Sequence, residues 1–288
     1  MSAQIIDGKK TAESVRGEWK LRAEKLIQSG IKPGLAVIIV GNDPASAIYV
    51  RNKVKACNDI GIYSEVHNFT QSAEQNEVLA CIQALNDNSN IHGILVQLPL
   101  PQHFENNRVI TSIAIEKDVD GFHFYNVGAL VTGNTIFSPC TPYGVMVMLD
   151  RSRVPIEGQH AVVVGRSNIV GKPMALMLLE RGATVTICTS KTRDLAQFAK
   201  TADILVVATG KPRMITTEMI KPGAVVIDVG INRLADGTLC GDVDFDRVRD
   251  VASFITPVPG GVGPMTITML LCNTILAAER VQAGIKIR

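Results

Sequence analysis

The chain has 288 residues, 46% hydrophobic and 19% charged, which provides for a sizeable buried core and excludes a disordered polymer. Its 29 Lys and Arg stand against 27 Asp and Glu, so no net field draws in nucleic acid or an anionic membrane. The six cysteines (Cys57, Cys81, Cys140, Cys188, Cys240, Cys272) lie far apart, with no CxxC pair and no nearby histidine; this is neither a zinc site nor a compact disulfide framework.

In chain order, mixed-charge helical spacing from about Thr11 to Ser29, closed by Gly30 and Pro33, predicts a first helix. GLAVIIVG (34–41) reads as a strand buried on both faces. A helix follows Pro44, a strand lies near Glu65–Phe69, a helix covers Ala73–Leu85, and IHGILVQLPLP (91–101) is a further buried strand stopped by prolines. This βαβα order predicts a parallel α/β sheet. From Pro101 to Pro142 the pattern loosens into loop material, and Thr141 is placed to cap a helix opening on Pro142. HAVVVG, ATVTIC, ADILVVATG, GAVVIDVG and ASFITPV then recur as strands of a doubly wound, Rossmann-like parallel sheet. A last helix is expected at about Met265–Gln282, packing back on the first domain. The reading is two α/β domains: 1–139 completed by the C-terminal helix at 268–288, and 140–267. The start lacks a signal or transit pattern, no apolar run approaches bilayer length, and scattered cysteines suit a reducing compartment. A soluble cytoplasmic protein without a metal is the expectation.

HAVVVGRSNIVGKPMALMLL puts strand, turn and helix in the order that a pyrophosphate site requires, with the helix N-terminus facing the phosphates. Its spacing, Gly165-x-Ser167-x-x-x-Gly171, departs from G-x-G-x-x-G, and an ordinary tight turn reads equally well. The next strand separates the two readings. Where an NAD site usually carries an acid, this chain has Ser190, Lys191 and Arg193, and Arg166 lies in the first turn. Hydroxyls and cations suit a 2′-phosphate, so NADP is the expected dinucleotide. For Lys191 or Arg193 singly, a solvated basic turn is the plainer reading. Thr209-Gly210 and Gly230-Ile231-Asn232 fall at strand ends where ligands collect.

In the first half, Tyr49, Lys53, Ala56 and Ile60 recur at i, i+4, i+7 and i+11, so Lys53 falls on the apolar stripe of a helix. Either its stem snorkels and the ammonium stays wet, or burial lowers its pKa and makes it a proton shuttle. Gln97 ends a buried strand just before a proline; Asp118 and Asp120, two apart, share a side if the chain is extended. Both features also read as ordinary strand-end and turn stabilisation. No histidine sits in a recognisable triad.

Together YVRNKVKAC, QLPLP, KDVDGFH, PCTP, VVVGRSNIVGKP, VVATGKP, GAVVIDVGIN, GDV and TPVPGGVGPMT resemble the bifunctional methylenetetrahydrofolate dehydrogenase/cyclohydrolase family over nearly the whole chain. Phe124 departs from it, standing where the family commonly has proline. The resemblance implies two α/β domains flanking a cleft, a folate-binding catalytic one and an NADP-binding one, in a homodimer. It implies NADP-dependent oxidation of 5,10-methylenetetrahydrofolate to the methenyl compound, then hydrolysis to 10-formyltetrahydrofolate. By the same resemblance Lys53 is the acid/base, Gln97 orients it, Asp120 pairs with the pterin N–H groups, and Tyr49 packs on the folate. Asp118 belongs to that region, Pro259, Gly260 and Gly261 form the seam against substrate, and Gly165, Arg166, Ser167, Ile169, Gly171, Ser190, Thr209, Gly210 and Ile231 hold the cofactor. The alternatives are a dehydrogenase without the hydrolytic step, a non-catalytic NADP-binding module, and a Schiff-base enzyme using Lys53.

Overall fold

The computed structural model describes residues 2–285, with backbone only at 44–48. The first half runs β1 (Gln4–Ile5), α1 (Gly8–Gln28), β2 (Gly34–Val40), α2 (Pro44–Asp59), β3 (Tyr63–Phe69), α3 (Gln75–Asp87), β4 (Gly93–Val96), α4 (Asn106–Thr111) and α5 (Phe124–Val131). The second runs α6 (Cys140–Arg151), β5 (His160–Val164), α7 (Gly171–Glu180), β6 (Thr184–Cys188), α8 (Leu195–Ala199), β7 (Ile204–Val207), β8 (Val225–Asp228), β9 (Asn232–Arg233), β10 (Leu239–Cys240), α9 (Phe245–Val248), β11 (Phe254–Ile255) and α10 (Val262–Gln282). Two compact units result: residues 14–140 with 267–288, and residues 1–13 with 141–266.

The first unit holds a three-stranded parallel sheet in the order β3-β2-β4. β2 lies between two neighbours, and Leu35, Ala36, Val37 and Ile38 are fully buried, which is why its sequence is continuously apolar rather than alternating. α3 covers this sheet with Val78, Ile82 and Leu85, spaced at i, i+4 and i+7. Glu74 and Glu77 form a reciprocal capping box at its start. Lys117 Nζ donates to the carbonyls of Leu85, Asn86 and Asn88 at 2.7–2.9 Å, satisfying the acceptors at its end.

The second unit holds a six-stranded sheet in the order β1-β11-β8-β7-β5-β6, parallel throughout. From β5 the chain moves outward to β6, then returns to β7 on the other side and continues to β8 and β11. The turnaround between β5 and β7 is the switch point where such sheets open a crevice at their carboxyl ends. Fully or nearly fully buried Val162, Val164, Leu205, Val207 and Val226 form the core under it.

The structure corrects several expectations. Residues 1–13 lie with the six-stranded unit, not with 14–139, because β1 pairs in parallel with β11; a two-residue strand leaves no periodicity to read. The segment from Pro101 to Pro142 contains α4 and α5, too short to show a helical repeat. α6 starts at Cys140, so Thr141 lies inside it rather than capping it, and α10 starts at Val262, not Met265. α10, 21 residues long and with an apolar window of mean hydropathy 1.3, is long and apolar enough to cross a membrane, contrary to the sequence reading. Yet 72% of its apolar window is buried inside the protein, the mark of a core helix.

Candidate functional site

In the three-stranded unit α2 places Lys53 on its inner face, 5% exposed. Val50, Cys57 and Ile60 are buried along the same stripe, while Arg51 and Lys55 are exposed. The buried option for Lys53 holds, and snorkelling does not. Lys53 Nζ donates to Gln97 Oε1 at 3.0 Å and lies 4.8 Å from the Tyr49 ring centroid. Gln97 continues β4 by donating its backbone N–H to Ile38, and its Nε2 donates to Leu98 O at 2.7 Å. That second bond fixes which end of the amide faces the lysine. Burial lowers the Lys53 pKa below 10.5; the negative charge of Asp120 and the Cys140 and Cys57 thiols oppose it.

Asp118 and Asp120 diverge, because a turn and not a strand separates them. Gly121, at φ +75°, closes that turn with its N–H on Asp118 O. Asp118 is 1% exposed and faces its own loop, accepting from Phe122 N (3.3 Å), His123 N (2.8 Å) and Asn126 Nδ2 (2.7 Å). Burial pushes its carboxyl up to about 7 against those bonds. Half-buried Asp120 lies within the field of Lys53 and near the Cys140 thiol, which donates to Val119 O at 3.3 Å; burial raises the Asp120 pKa while Lys53 and Cys140 pull it down. Burial and the adjacent Asp120 carboxylate hold the Cys140 thiol well above its ordinary pKa, hence protonated. Phe124 opens α5 at 58% exposure, after His123 caps it.

Asn273, 2% exposed in the middle of α10, donates to Val119 O at 2.8 Å and Ser138 O at 3.1 Å, tying together the strands of chain that carry Asp120 and Cys140. The sequence reading missed Asn273, Asn126 and Cys140; a polar residue inside an apolar helix was the available signal.

In the six-stranded unit, Gly165 follows β5 at φ +142°, and a Cβ there would sit on Ala208 O just past the neighbouring β7. A Cβ on Gly171 would sit on Gly165 O. Ser167 Oγ accepts from Val170 N (3.1 Å) and Gly171 N (3.3 Å) at the head of α7. Arg166, Ser167 and Ile169 are exposed around this turn, and Ser190, Lys191 and Arg193 are exposed beyond β6. The turn is a glycine-lined cradle with exposed cations and hydroxyls, which fits a dinucleotide carrying an extra phosphate.

Thr209 and Gly210 follow β7, and Ile231, 54% exposed, follows β8. Two carboxylates that the sequence reading passed over, Asp228 and Asp242, lie beneath these loops at 2% and 0% exposure. Burial chiefly, and the adjacent Asp242 charge, push Asp228 up to about 7 against three backbone N–H bonds. Pro259 is exposed, Gly260 has φ +104°, and Gly261 is buried where a Cβ would meet Pro257 O at 2.5 Å. Gly260 O accepts from Lys9 N at 3.1 Å, and a Cβ on Gly8 would sit on Gly261 O. The glycines of TPVPGGVGPMT thus admit the start of α1. No group of three or more His, Cys, Asp or Glu able to hold a metal occurs among the described residues.

The profile of the tetrahydrofolate dehydrogenase/cyclohydrolase catalytic domain matches residues 6–120, and that of the NAD(P)-binding domain matches residues 139–282. The bifunctional protein FolD of Nitrosospira multiformis is 67% identical over 286 residues, covering 99% of each chain. That of Cupriavidus necator is 61% identical over 280 residues, 97% of this chain and 99% of the relative. Among solved structures, the bifunctional FolD dehydrogenase/cyclohydrolase of Campylobacter jejuni superposes with TM-score 0.96 at 49% identity, covering 97% of this chain and 100% of its own. The Trypanosoma brucei enzyme, complexed with NADP and an inhibitor, superposes with TM-score 0.95 at 39% identity, covering 98% and 99%.

Proposed function

The chain belongs to the tetrahydrofolate dehydrogenase/cyclohydrolase family and carries both of its activities, and we propose that each activity is served chiefly by the residues of one unit. The reactions are NADP-dependent oxidation of 5,10-methylenetetrahydrofolate to the methenyl compound and its hydrolysis to 10-formyltetrahydrofolate.

In this reading Lys53 moves the protons of hydrolysis. The observation that carries it is the buried Lys53–Gln97 pair beside Asp120. As water forms its C–O bond to the methenyl carbon, neutral Nζ takes the water proton; as the C–N bond breaks, Nζ returns a proton to the departing nitrogen. Gln97 Oε1 accepts from Nζ and so aims the nitrogen lone pair. Tyr49, one turn before Lys53, offers a ring face to the folate. Asp120 is an acceptor for the pterin N–H groups, and Asp118 serves indirectly by folding the loop that presents Asp120. Pro259, Gly260 and Gly261 supply substrate contacts from the loop before α10.

Bound NADP+ would supply the acceptor for the hydride that leaves the methylene carbon. The folate nitrogens stabilise the cation left behind, so the residues around that carbon need only position it and exclude water. Gly165, Ser167, Ile169 and Gly171 would hold the pyrophosphate at the head of α7, Arg166 and Ser190 would take the 2′-phosphate, and Thr209, Gly210 and Ile231 would border the remainder. Absorbance assays with methylenetetrahydrofolate and each dinucleotide test this assignment. Arg166→Ala is expected to raise KM for NADP+ by about tenfold or more, through loss of a charge-assisted phosphate contact, and to leave KM for NAD+ unchanged. Equal effects on both dinucleotides would remove Arg166 from the 2′-phosphate.

The chain acts as a cytoplasmic homodimer in this proposal, with neither nucleic acid nor membrane as partner. All six cysteines are free thiols, as a reducing compartment maintains them. β3 is an edge strand, and next to it Ile39, Val50, Val54 and Val66 line an open groove edged by Arg51, Lys55, Asn58 and Asn68. Edge strands of this kind are normally covered, and a second copy supplies the cover. Sedimentation equilibrium is expected to give twice the chain mass; a monomer at micromolar concentration would refute the dimer.

A further inference from the structure

We propose that Asp242 is a positioning residue of the dinucleotide site, holding the loop after β7 and the loop after β8 in one fixed relation. The proposal rests on the reading that those loops, through Thr209, Gly210 and Ile231, border the cofactor. Asp242 Oδ2 accepts three bonds from the first loop: Thr209 N at 2.6 Å, Thr209 Oγ1 at 2.9 Å and Gly210 N at 2.9 Å. Its Oδ1 accepts from Asn232 Nδ2 of the second loop at 2.8 Å. Four donors on one acceptor-only group leave neither loop free to shift without breaking a bond.

The carboxylate is itself held in place. Asp228, at the end of β8, accepts from Gly230 N (2.9 Å) and Asp242 N (3.0 Å) with one oxygen and from Val243 N (2.9 Å) with the other. Thr256 Oγ1 accepts from Asp228 N at 2.7 Å, which secures the base of the network to the strand end beside it. Two glycines make room: a Cβ on Gly230 would sit on the Asp242 carboxylate, and a Cβ on Gly241 on the Asp228 carboxylate. A fold in search of stability alone does not benefit from two buried carboxylates, since apolar packing in their place is commonly as stable or more so. Placed under the carboxyl ends of β7 and β8, they determine where the ligand loops stand.

The hydrolytic reaction uses no dinucleotide, so it provides an internal control within the same full-length chain. Asp242→Ala is expected to raise KM for NADP+ by about tenfold or more, in line with the loss of several bonds to a charged group. Asp242→Asn keeps an acceptor for the first loop and is expected to raise it by about threefold. Cyclohydrolase kcat/KM is expected to stay within about twofold of the unmodified chain in both variants. An unchanged KM for NADP+ in both variants overturns the proposal. So does a parallel fall of the two activities with a lowered melting temperature, which would assign Asp242 to general stability. Should Asp242→Ala fail to fold, the isosteric Asp242→Asn decides the matter by the same split. Arg166→Ala is measured alongside. If it raises KM for NADP+ and the Asp242 variants do not, this inference fails and the site stands; if none does, the site itself is misassigned.

Discussion

Lys53→Met is expected to abolish the hydrolysis of methenyltetrahydrofolate, lowering kcat by about 10²–10⁴-fold, the usual contribution of a positioned acid/base. Three features of the chain lead to that number. The lysine is buried on the apolar stripe of α2, so no water at its Nζ can replace it freely. Its Nζ donates to Gln97 Oε1, an amide itself oriented by its own bond to Leu98 O. And its pKa is drawn down from 10.5 by burial, which brings the neutral amine into reach at lower pH than for an exposed lysine. Methionine matches the length of the stem and removes the buried ammonium. The loss of a donor for Gln97 and the relief of that burial oppose each other, so the fold is expected to survive. Dehydrogenase activity is expected to fall much less, because hydride transfer needs no proton from Lys53.

The pH dependence follows with a definite sign. In the unmodified chain hydrolysis rises with pH as Nζ loses its proton, through a midpoint below 10.5. Between that lowered pKa and 10.5 the unfolded chain binds more protons than the folded one, so native stability gains with rising pH across that window. At lower pH, where both states are protonated, the full cost of the buried ammonium is present. Lys53→Met lacks this dependence, and the difference between the two stability–pH curves measures it. Hydrolysis at the normal rate in Lys53→Met would take Lys53 out of the mechanism altogether.

What was legible in the sequence was whatever a single segment carries by itself. The unbroken apolar run of seven-residue β2 and the 3.6-residue stripe of α2 both leave local traces, and the stripe was enough to raise the question of Lys53. What periodicity left open was whether its ammonium reached water. That depends on Gln97, 44 positions away just past β4, and on Asp120, whose direction is set by a turn at Gly121. The spacing of Asp118 and Asp120 misled for the same reason: two residues apart means one side only in extended chain. Asp242 and Asn273 were unreadable because their partners come from distant loops. A single buried polar residue at a strand end or in an apolar helix has no local signature beyond its own polarity. β1 was missed because its two residues acquire meaning through pairing with β11, about 250 positions later.

Gly171→Ala is expected to cut dehydrogenase kcat/KM by about 10²-fold, the effect of misplacing reactants by roughly 1 Å, and to leave hydrolysis intact. The added methyl would sit on the Gly165 carbonyl oxygen and 2.8 Å from Arg166 N. Both obstacles are backbone, so no rotamer change clears them. Gly165 cannot yield either: it holds φ +142°, and its own missing Cβ lets the turn lie against Ala208 O. The turn between β5 and α7 must therefore widen, carrying Ser167 away from the N–H groups of Val170 and Gly171 that it now accepts from. This is the spacing Gly165-x-Ser167-x-x-x-Gly171, whose departure from the standard glycine pattern left an ordinary turn as an equal reading. Gly17→Ala is the matched control, because Gly17 lies exposed in α1 with nothing within 4 Å of an added Cβ. There the methyl is expected to raise stability by up to about 1 kcal/mol through helix propensity and to leave both activities unchanged. Normal NADP+ kinetics in Gly171→Ala would show that the turn tolerates widening, and the dinucleotide would then have to bind elsewhere in the six-stranded unit.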